Sequence, residues 1–215
     1  GKQIEICYDD NQYKKSLSAF SAEEKVIVQE FIEKEYEIVV VGLSVNGNTY
    51  IPAYIHKHRD TKGGTTYSTV KAISELPINT VEACKTMSSK MQYEGLWGVE
   101  LIKKNDSYYF VEMNLRNDAT TYAINIAGVN LPLMYYHIKS GLMTGAPSMK
   151  IREVNAIVEF QDFIHVLKRE ISIFTWWKQL KKAECRYLYS PKDVEPYRIN
   201  KRQFIKMLRR RILKF

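Results

Sequence analysis

The twenty residues Trp97–Arg116, W-G-V-E-L-I-K-K-N-D-S-Y-Y-F-V-E-M-N-L-R, constrain this chain more than any other segment. Two strand-like runs, Leu96–Lys103 and Tyr108–Leu115, flank the turn residues Asn105-Asp106-Ser107, which reads as a hairpin. Side chains alternate along a strand, so Glu112, Asn114 and Arg116 share one face. Val111, Met113 and Leu115 share the other, which should face a core. Register decides what Glu100 does. An odd loop over 105–107 sets Glu100 opposite Glu112, whereas a two-residue loop pairs Glu100 with Val111 and parts the carboxylates. Directly opposed carboxylates repel. A hard cation between them removes the conflict: two carboxylates and an amide oxygen, with room left for phosphate oxygens, suit Mg²⁺. Arg116 is then placed to neutralise a phosphoryl group. The bland alternative is an amphipathic hairpin with a solvated polar face.

Around this hairpin the chain reads as α+β, with antiparallel strands dominating up to residue 115 and helices gathered on one side. Short strands are expected at Ile4–Tyr8 and over the β-branched run Lys25–Ile32, with a helix between them capped at Asp9–Asn11. Glu35–Val45 and Thr49–His56 flank Asn46-Gly47-Asn48, a strong hairpin signal. Residues 57–69 read as a polar loop. Helices are expected from Thr80 to about Tyr93, over Ala119–Ala127 up to Gly128, and from Asn130-Leu131-Pro132 to Ser140-Gly141. Gly145-Ala146-Pro147-Ser148 is the best boundary signal, followed by a strand over Ile151–Phe160 and a turn at Ser190-Pro191.

The net charge is +8, but residues 200–215 carry seven cations and no acid. The body is near neutral, which gives no case for nucleic acid as a partner. Phe204, Ile205, Leu208, Ile212, Leu213 and Phe215 fall on one helical stripe there. Such a basic helix either lies on an anionic membrane or docks as a structural cap. The cysteines Cys7, Cys84 and Cys185 are odd in number and far apart, which points to a reducing compartment, the cytoplasm, with the inner face of the membrane as the place for the tail. Cys84 reads as packing. His56 and His58 share a strand face but lack a third ligand at a zinc spacing. Trp176-Trp177 reads as core, with a membrane-interface belt as the alternative.

The segment V-I-V-Q-E-F-I-E-K-E-Y-E-I (26–38) breaks an apolar run with Glu33-Lys34-Glu35. Backbone groups at such a break need partners. An adenine edge beside Phe31 and Ile32 is one, and Glu35 could accept from ribose hydroxyls. A plain hairpin with surface charges is the alternative.

Together the two segments resemble the ATP-grasp superfamily, which includes D-alanine–D-alanine ligases, biotin carboxylases and the carbamoyl-phosphate synthase large subunit. Glu100 followed by E-M-N-L-R at 112–116 is similar to its closing signature, Q-E-F-I (29–32) to its hinge, K-E-Y-E (34–37) to its ribose acid, and A-G-V-N-L-P (127–132) to the helix entry that follows. The resemblance covers roughly residues 1–145. It implies an ATP-grasp C-terminal lobe, mainly antiparallel sheet, with the N-terminal domain missing: 1–28 a remnant of the central lobe, 29–145 the lobe with the nucleotide and metal site, 146–215 an extension with the basic helix. It implies ATP and Mg²⁺ (or Mn²⁺) as cofactors, with Glu100, Glu112 and Asn114 as metal ligands. It implies Arg116 as the catalytic cation, adenine contact by Glu30, Phe31 and Ile32 with Gln29 nearby, ribose on Glu35, and Lys57 and Arg59 toward a phosphate or substrate. The implied activity is ATP-dependent ligation of a small-molecule carboxylate to an amine through an acyl phosphate. A degenerate module that binds nucleotide or a protein partner without turnover is the alternative. The chain lacks the lysine-bearing lobe and glycine-rich flap of the family, which makes it resemble the C-terminal part of a longer protein whose activity alone is incomplete.

Overall fold

The computed structural model describes residues 4–20, 25–143 and 147–212. The chain divides into two compact units, Gly1–Glu33 and Lys34–Phe215. In the first, helix α1 (Asp10–Leu17) starts where extended Asp9 accepts the Gln12 N–H at 2.8 Å, satisfying one of the orphan donors of the first turn. The strands expected over Ile4–Tyr8 and Lys25–Ile32 do not form. Ile4 and Ile27 are among the most exposed apolar side chains, and no strand among the described residues pairs with either run. β-branched residues favour extended backbone, but only a partner makes a strand.

The second unit is built on a seven-stranded sheet in the order β5-β4-β1-β2-β3-β6-β7. Its strands are β1 (Tyr36–Val45), β2 (Asn48–Thr61), β3 (Gly64–Ala72), β4 (Gly95–Lys104), β5 (Ser107–Asn114), β6 (Val154–Ile157) and β7 (Cys185–Arg186). Every pairing is antiparallel except β6 with β7. Asn46 and Gly47 join β1 to β2 with φ of 50° and 74°, the left-handed pair that a tight two-residue hairpin turn requires. The loop expected over 57–69 is instead a second hairpin, with Lys57 paired to Ser68 and Thr61 to Gly64. Its strands are hard to read because this end of the sheet is only partly covered, so both faces carry polar side chains and the period-2 signal vanishes.

Helices cover both faces, not one as expected. Val39, Val41 and Ile55 pack with Ala123, Ile124 and Ala127 of α3 (Thr120–Ala127) and Leu131 and Met134 of α4 (Leu131–Lys139). Ile38, Val40 and Tyr54 face the other way, onto Val81 and Cys84 of α2 (Ile78–Lys90). That is why β1 reads as a continuous apolar run: alternate residues serve two cores. α2 begins at Ile78 rather than at Thr80, because the Pro77 carbonyl accepts the Thr80 and Val81 N–H groups at 3.0 and 3.3 Å. It ends at Lys90 rather than near Tyr93. Gly128 (φ 128°) closes α3, and the Asn130 side chain caps α4 by accepting the Leu133 N–H, both as the sequence indicates. Burial pushes the Cys84 thiol up to about 11, consistent with packing and not nucleophilic chemistry.

Gly145 and Ala146 of the boundary motif, like Leu213, Lys214 and Phe215 of the tail, lie outside the described residues. Beyond the motif the chain returns to the sheet at β6, shorter than the 151–160 strand expected. It stops because Glu159 opens α5 (Glu159–Asp162), and Glu159 and Asp162 are both buried. Arg186 and the Leu188 and Tyr189 N–H groups bond Glu159, and Arg59 and Thr66 bond Asp162. α6 (Ile164–Leu167) and α7 (Ile173–Lys182) follow. Of the tryptophan pair, Trp176 packs edge-on against Phe163 at 4.9 Å, but Trp177 is 53% exposed, so only one of the two is core. The basic tail forms α8 (Glu195–Ile212). Its Tyr197 lies 5.0 Å from the ring of Phe160, and its Phe204 5.3 and 5.2 Å from the rings of Phe160 and Phe163, which places the first half of the helix against the body.

Candidate functional site

Glu100 and Glu112 are direct partners across β4 and β5, so their side chains lie on one face of the sheet. The route to that register differs from the expected one. The loop is two residues long, Asn105-Asp106, with Lys104 paired to Ser107 and Asn105 at φ 51°. Left alone, that even loop would set Glu100 opposite Val111. A β-bulge at Val111 intervenes: Leu101 pairs with Phe110, and Glu100 then pairs with Glu112. One extra residue on the edge strand reverses the parity and re-aims everything beyond it. Asn114 follows two residues on, opposite Gly98, and its Nδ2 donates to Glu112 Oε1 at 2.8 Å. Met113 packs into the α2-side core as expected, while Leu115 is 37% exposed because β5 ends at Asn114. Arg116, exposed, lies past the strand end.

The face is set by β1. Val39 pairs with Glu100 and belongs to the α3/α4 core, so the carboxylates continue that core face where the helices no longer cover it. Lys57, whose side chain is only 10% exposed, donates to Glu100 at 2.7 Å and to Glu37 at 3.2 Å. Burial works against a charged Lys57, yet hydrogen bonds and charge from Glu100 and Glu37 outweigh it and hold its pKa above the ordinary lysine value. Burial likewise opposes ionisation of Glu37, but Lys34 and Lys57 outweigh it and hold the carboxyl below its ordinary range. The result is a half-buried cluster of fixed charges with one lysine bridging two acids.

Asp118 adds a group that sequence reasoning passed over. Its Oδ1 accepts the Thr120 N–H at 2.8 Å at the start of α3. Its Oδ2 would lie 3.5 Å from a β-carbon added at Gly98, the residue opposite Asn114. A third carboxylate thus lies at van der Waals distance over the Gly98 position of the same sheet face. Asn117-Asp118 reads in the sequence only as a helix-capping pair, and that is the signal that would have marked it.

Glu35 and Arg59, also expected at the site, have partners of their own. Glu35 Oε1 accepts the Asn105 N–H at 2.7 Å and so braces the β4–β5 turn. Arg59 forms a two-point pair with Asp162, at 2.7 and 3.0 Å, and stacks 4.4 Å over Tyr67; its guanidinium is not drawn into the Lys57 cluster. Gln29, Glu30, Phe31 and Ile32 belong to the first unit, where Phe31 is 54% exposed. His56 and His58 stack on each other at 4.7 Å, between Tyr36 and Tyr67. Among the described residues, no three His, Cys, Asp or Glu side chains form a metal-holding group. The donor set at 100, 112 and 114 is two carboxylates and an amide, hard oxygens only, and it fits Mg²⁺ and not zinc.

Comparisons with known proteins give relatives and a fold. Formate-dependent phosphoribosylglycinamide formyltransferase of Syntrophotalea carbinolica is 24% identical over 134 residues, 62% of this chain and 34% of that protein. The carbamoyl phosphate synthase large chain of Sulfolobus acidocaldarius is 24% identical over 139 residues, 61% of this chain and 13% of its own length. The chain therefore spans about a third of the first relative and about an eighth of the second. Among solved structures, the biotin carboxylase of Campylobacter jejuni, in a β,γ-ATP complex, superposes with a TM-score of 0.51 over 60% of this chain and 31% of that one, at 19% identity, a likeness of fold. The ATP-grasp domain family matches residues 1–129, which include both carboxylate strands and the bulge between them, and the chain belongs to the ATP-grasp family.

Proposed function

We propose that this chain is the ATP- and metal-binding portion of an ATP-dependent carboxylate–amine ligase. The observation that carries the reading is the Glu100–Glu112 register pair with Asn114 beside it, reached through a bulge that leaves two acids face to face. Nothing in sheet energetics favours that pairing; a cation between them does. Glu100, Glu112 and Asn114 would hold Mg²⁺ or Mn²⁺, and the ion when bound supplies Lewis-acid neutralisation of phosphate oxygens. Lys57 keeps Glu100 and Glu37 compensated before nucleotide arrives and supplies a cation toward the phosphates afterwards. Arg116 stabilises charge on the transferring phosphoryl group. The substrate carboxylate attacks the γ-phosphate to give an acyl phosphate and ADP, and an amine then displaces phosphate. Glu35 would turn one oxygen to the ribose while the other braces the turn, and the backbone of Glu30 and Ile32, with Phe31 and Gln29 near, would meet the adenine. Arg59 acts through position, holding the β2–β3 hairpin to Asp162. A cytoplasmic site of action is part of the same reading. So is peripheral contact of residues 200–215 with an anionic membrane, for which α8 keeps Lys201, Arg202, Lys206 and Arg209 exposed.

The chain should bind ATP only with Mg²⁺ or Mn²⁺, measured by calorimetry. Glu112→Gln should weaken that binding about tenfold or more, while Arg116→Ala should retain it and, with the chain as part of a complete ligase, lose ADP release in an acceptor screen. Metal-dependent ATP binding by such a complete protein with no ADP release for any carboxylate and amine would turn the reading to a nucleotide-binding module without turnover. Metal-independent binding, unchanged in Glu112→Gln, would remove the metal site itself.

A further inference from the structure

Helix α7, I-F-T-W-W-K-Q-L-K-K, has no buried residue. It is attached by a thin stripe: Trp176 edge-on to Phe163, Leu180 against the small Tyr67/Ile157/Ala183 cluster. Ile173 continues that stripe, and Trp177 and Phe174 lie about 100° and 160° round the helix from Trp176; the three are exposed by 52%, 53% and 81%. A helix face turned to water is normally polar; here the apolar arc runs on past the attached stripe into water. The end of α6 adds Leu167, also exposed.

The charges around this face have one sign. Between Leu167 and Lys182 lie Lys168, Arg169, Lys178, Lys181 and Lys182, all exposed, against the single acid Glu170. Glu170 is itself engaged by His165 and Lys168. Lys181 Nζ sits 3.7 Å from the centre of the Trp177 ring, so a cation and an aromatic face are presented together. A protein-binding patch depletes charge from its centre. Apolar and aromatic side chains ringed by lysines and arginines instead match the headgroup region of an anionic bilayer, where indole and ammonium groups sit at the interface and apolar tips enter below it. No helix among the described residues is long and apolar enough to cross a membrane, so the contact is one of lying on the surface.

We infer that α7, with the Leu167–Arg169 segment before it, docks on an anionic phospholipid surface through Ile173, Phe174 and Trp177, framed by Lys178, Lys181 and Lys182. This surface is distinct from α8, whose Phe204 is turned into the body, and it is independent of the ligase reading.

The test uses the whole chain with vesicles of mixed phosphatidylglycerol and phosphatidylcholine, and with phosphatidylcholine alone. Co-sedimentation should favour the anionic vesicles about tenfold or more, and the preference should fall as salt rises, since exposed charges are screened over about 10 Å at 0.1 M. Trp97 is buried and Trp176 half-buried, so quenching of tryptophan emission by brominated anionic lipid should report Trp177. The double variant Phe174→Ser/Trp177→Ser removes only exposed groups, should keep the melting temperature, and should lose binding and quenching. Lys178→Glu/Lys181→Glu should lose the anionic preference without touching the aromatics. Neutralising Lys201, Arg202 and Lys206 of α8 should change binding less than either. Equal binding to both vesicle types, or binding undiminished in the Phe174/Trp177 variant, overturns the inference. So does a self-associated chain that the same variant dissociates, which would make a second copy the occupant.

Discussion

Lys57 shows how a single side chain can be read at two levels. In the sequence it is one cation in a basic run, H-K-H-R at 56–59, with no fixed motif. In the sheet, alternation sends its neighbours His56 and His58 to the α2 side and Lys57 alone to the carboxylates. Removing it tests the site directly. Lys57→Met leaves Glu37 and Glu100 without their shared counter-charge. Breaking a buried pair costs several kcal/mol, but these carboxylates keep about a quarter of their exposure, so about 1–2 kcal/mol is expected. Mg²⁺ should then raise the melting temperature of the variant more than that of the unaltered chain, because a cation replaces the missing ammonium. Equal Mg²⁺ responses would mean that Glu100 is not a cation ligand.

At the scale of elements, bulges do what the hairpin turns cannot. The β4–β5 turn is even, and without the extra residue at Val111 the acids would part to opposite faces. A second irregularity lies in β1 between Val41 and Leu43, at Gly42, which faces Trp97 of β4. A β-carbon at Gly42 would fall 2.3 Å from Trp97 Cζ2 and 2.5 Å from Cη2. Trp97 is buried and donates to Ser44 Oγ at 2.9 Å, so its ring has nowhere to go. Gly42→Ala is expected to destabilise by about 1–3 kcal/mol, as overpacking of a filled core does, and to lower the melting temperature by several degrees. An unchanged melting temperature would mean the indole is mobile at this position. The glycine is visible in the sequence, but the indole it accommodates is 55 residues away.

Across the whole molecule, the strand order ties distant parts of the chain together. β6 and β7 extend the sheet at β3, and α5 locks that edge with two buried acids. α8 is held over the same region by Phe204, between Phe160 and Phe163. Phe204→Ala should cost about 1–3 kcal/mol in chemical denaturation, less than for a fully buried ring because Phe204 is half-buried, and Phe204→Leu should recover part of it. No loss would mean the tail helix does not brace this edge. The turn at 46–47, the existence of the β4–β5 hairpin, the α3 and α4 caps and the α+β class were legible in the residues, because turn chemistry, capping and side-chain alternation act over two to four positions; the Glu100–Glu112 pairing was expected from an odd loop at 105–107, and the chain reaches it through an even loop and a bulge instead. Four features were not: the bulge at Val111, the Asp118 carboxylate over Gly98, the Arg59–Asp162 pair across 103 residues and the second helical layer on the sheet. Each depends on which distant backbone comes alongside. Local sequence sets what a segment can form, and the burial and hydrogen bonds contributed by its neighbours decide which of those forms has the lowest free energy. That is why Ile4–Tyr8 and Lys25–Ile32, with strand-like sequences and no paired neighbour among the described residues, are not strands, while the polar run 57–61 is one.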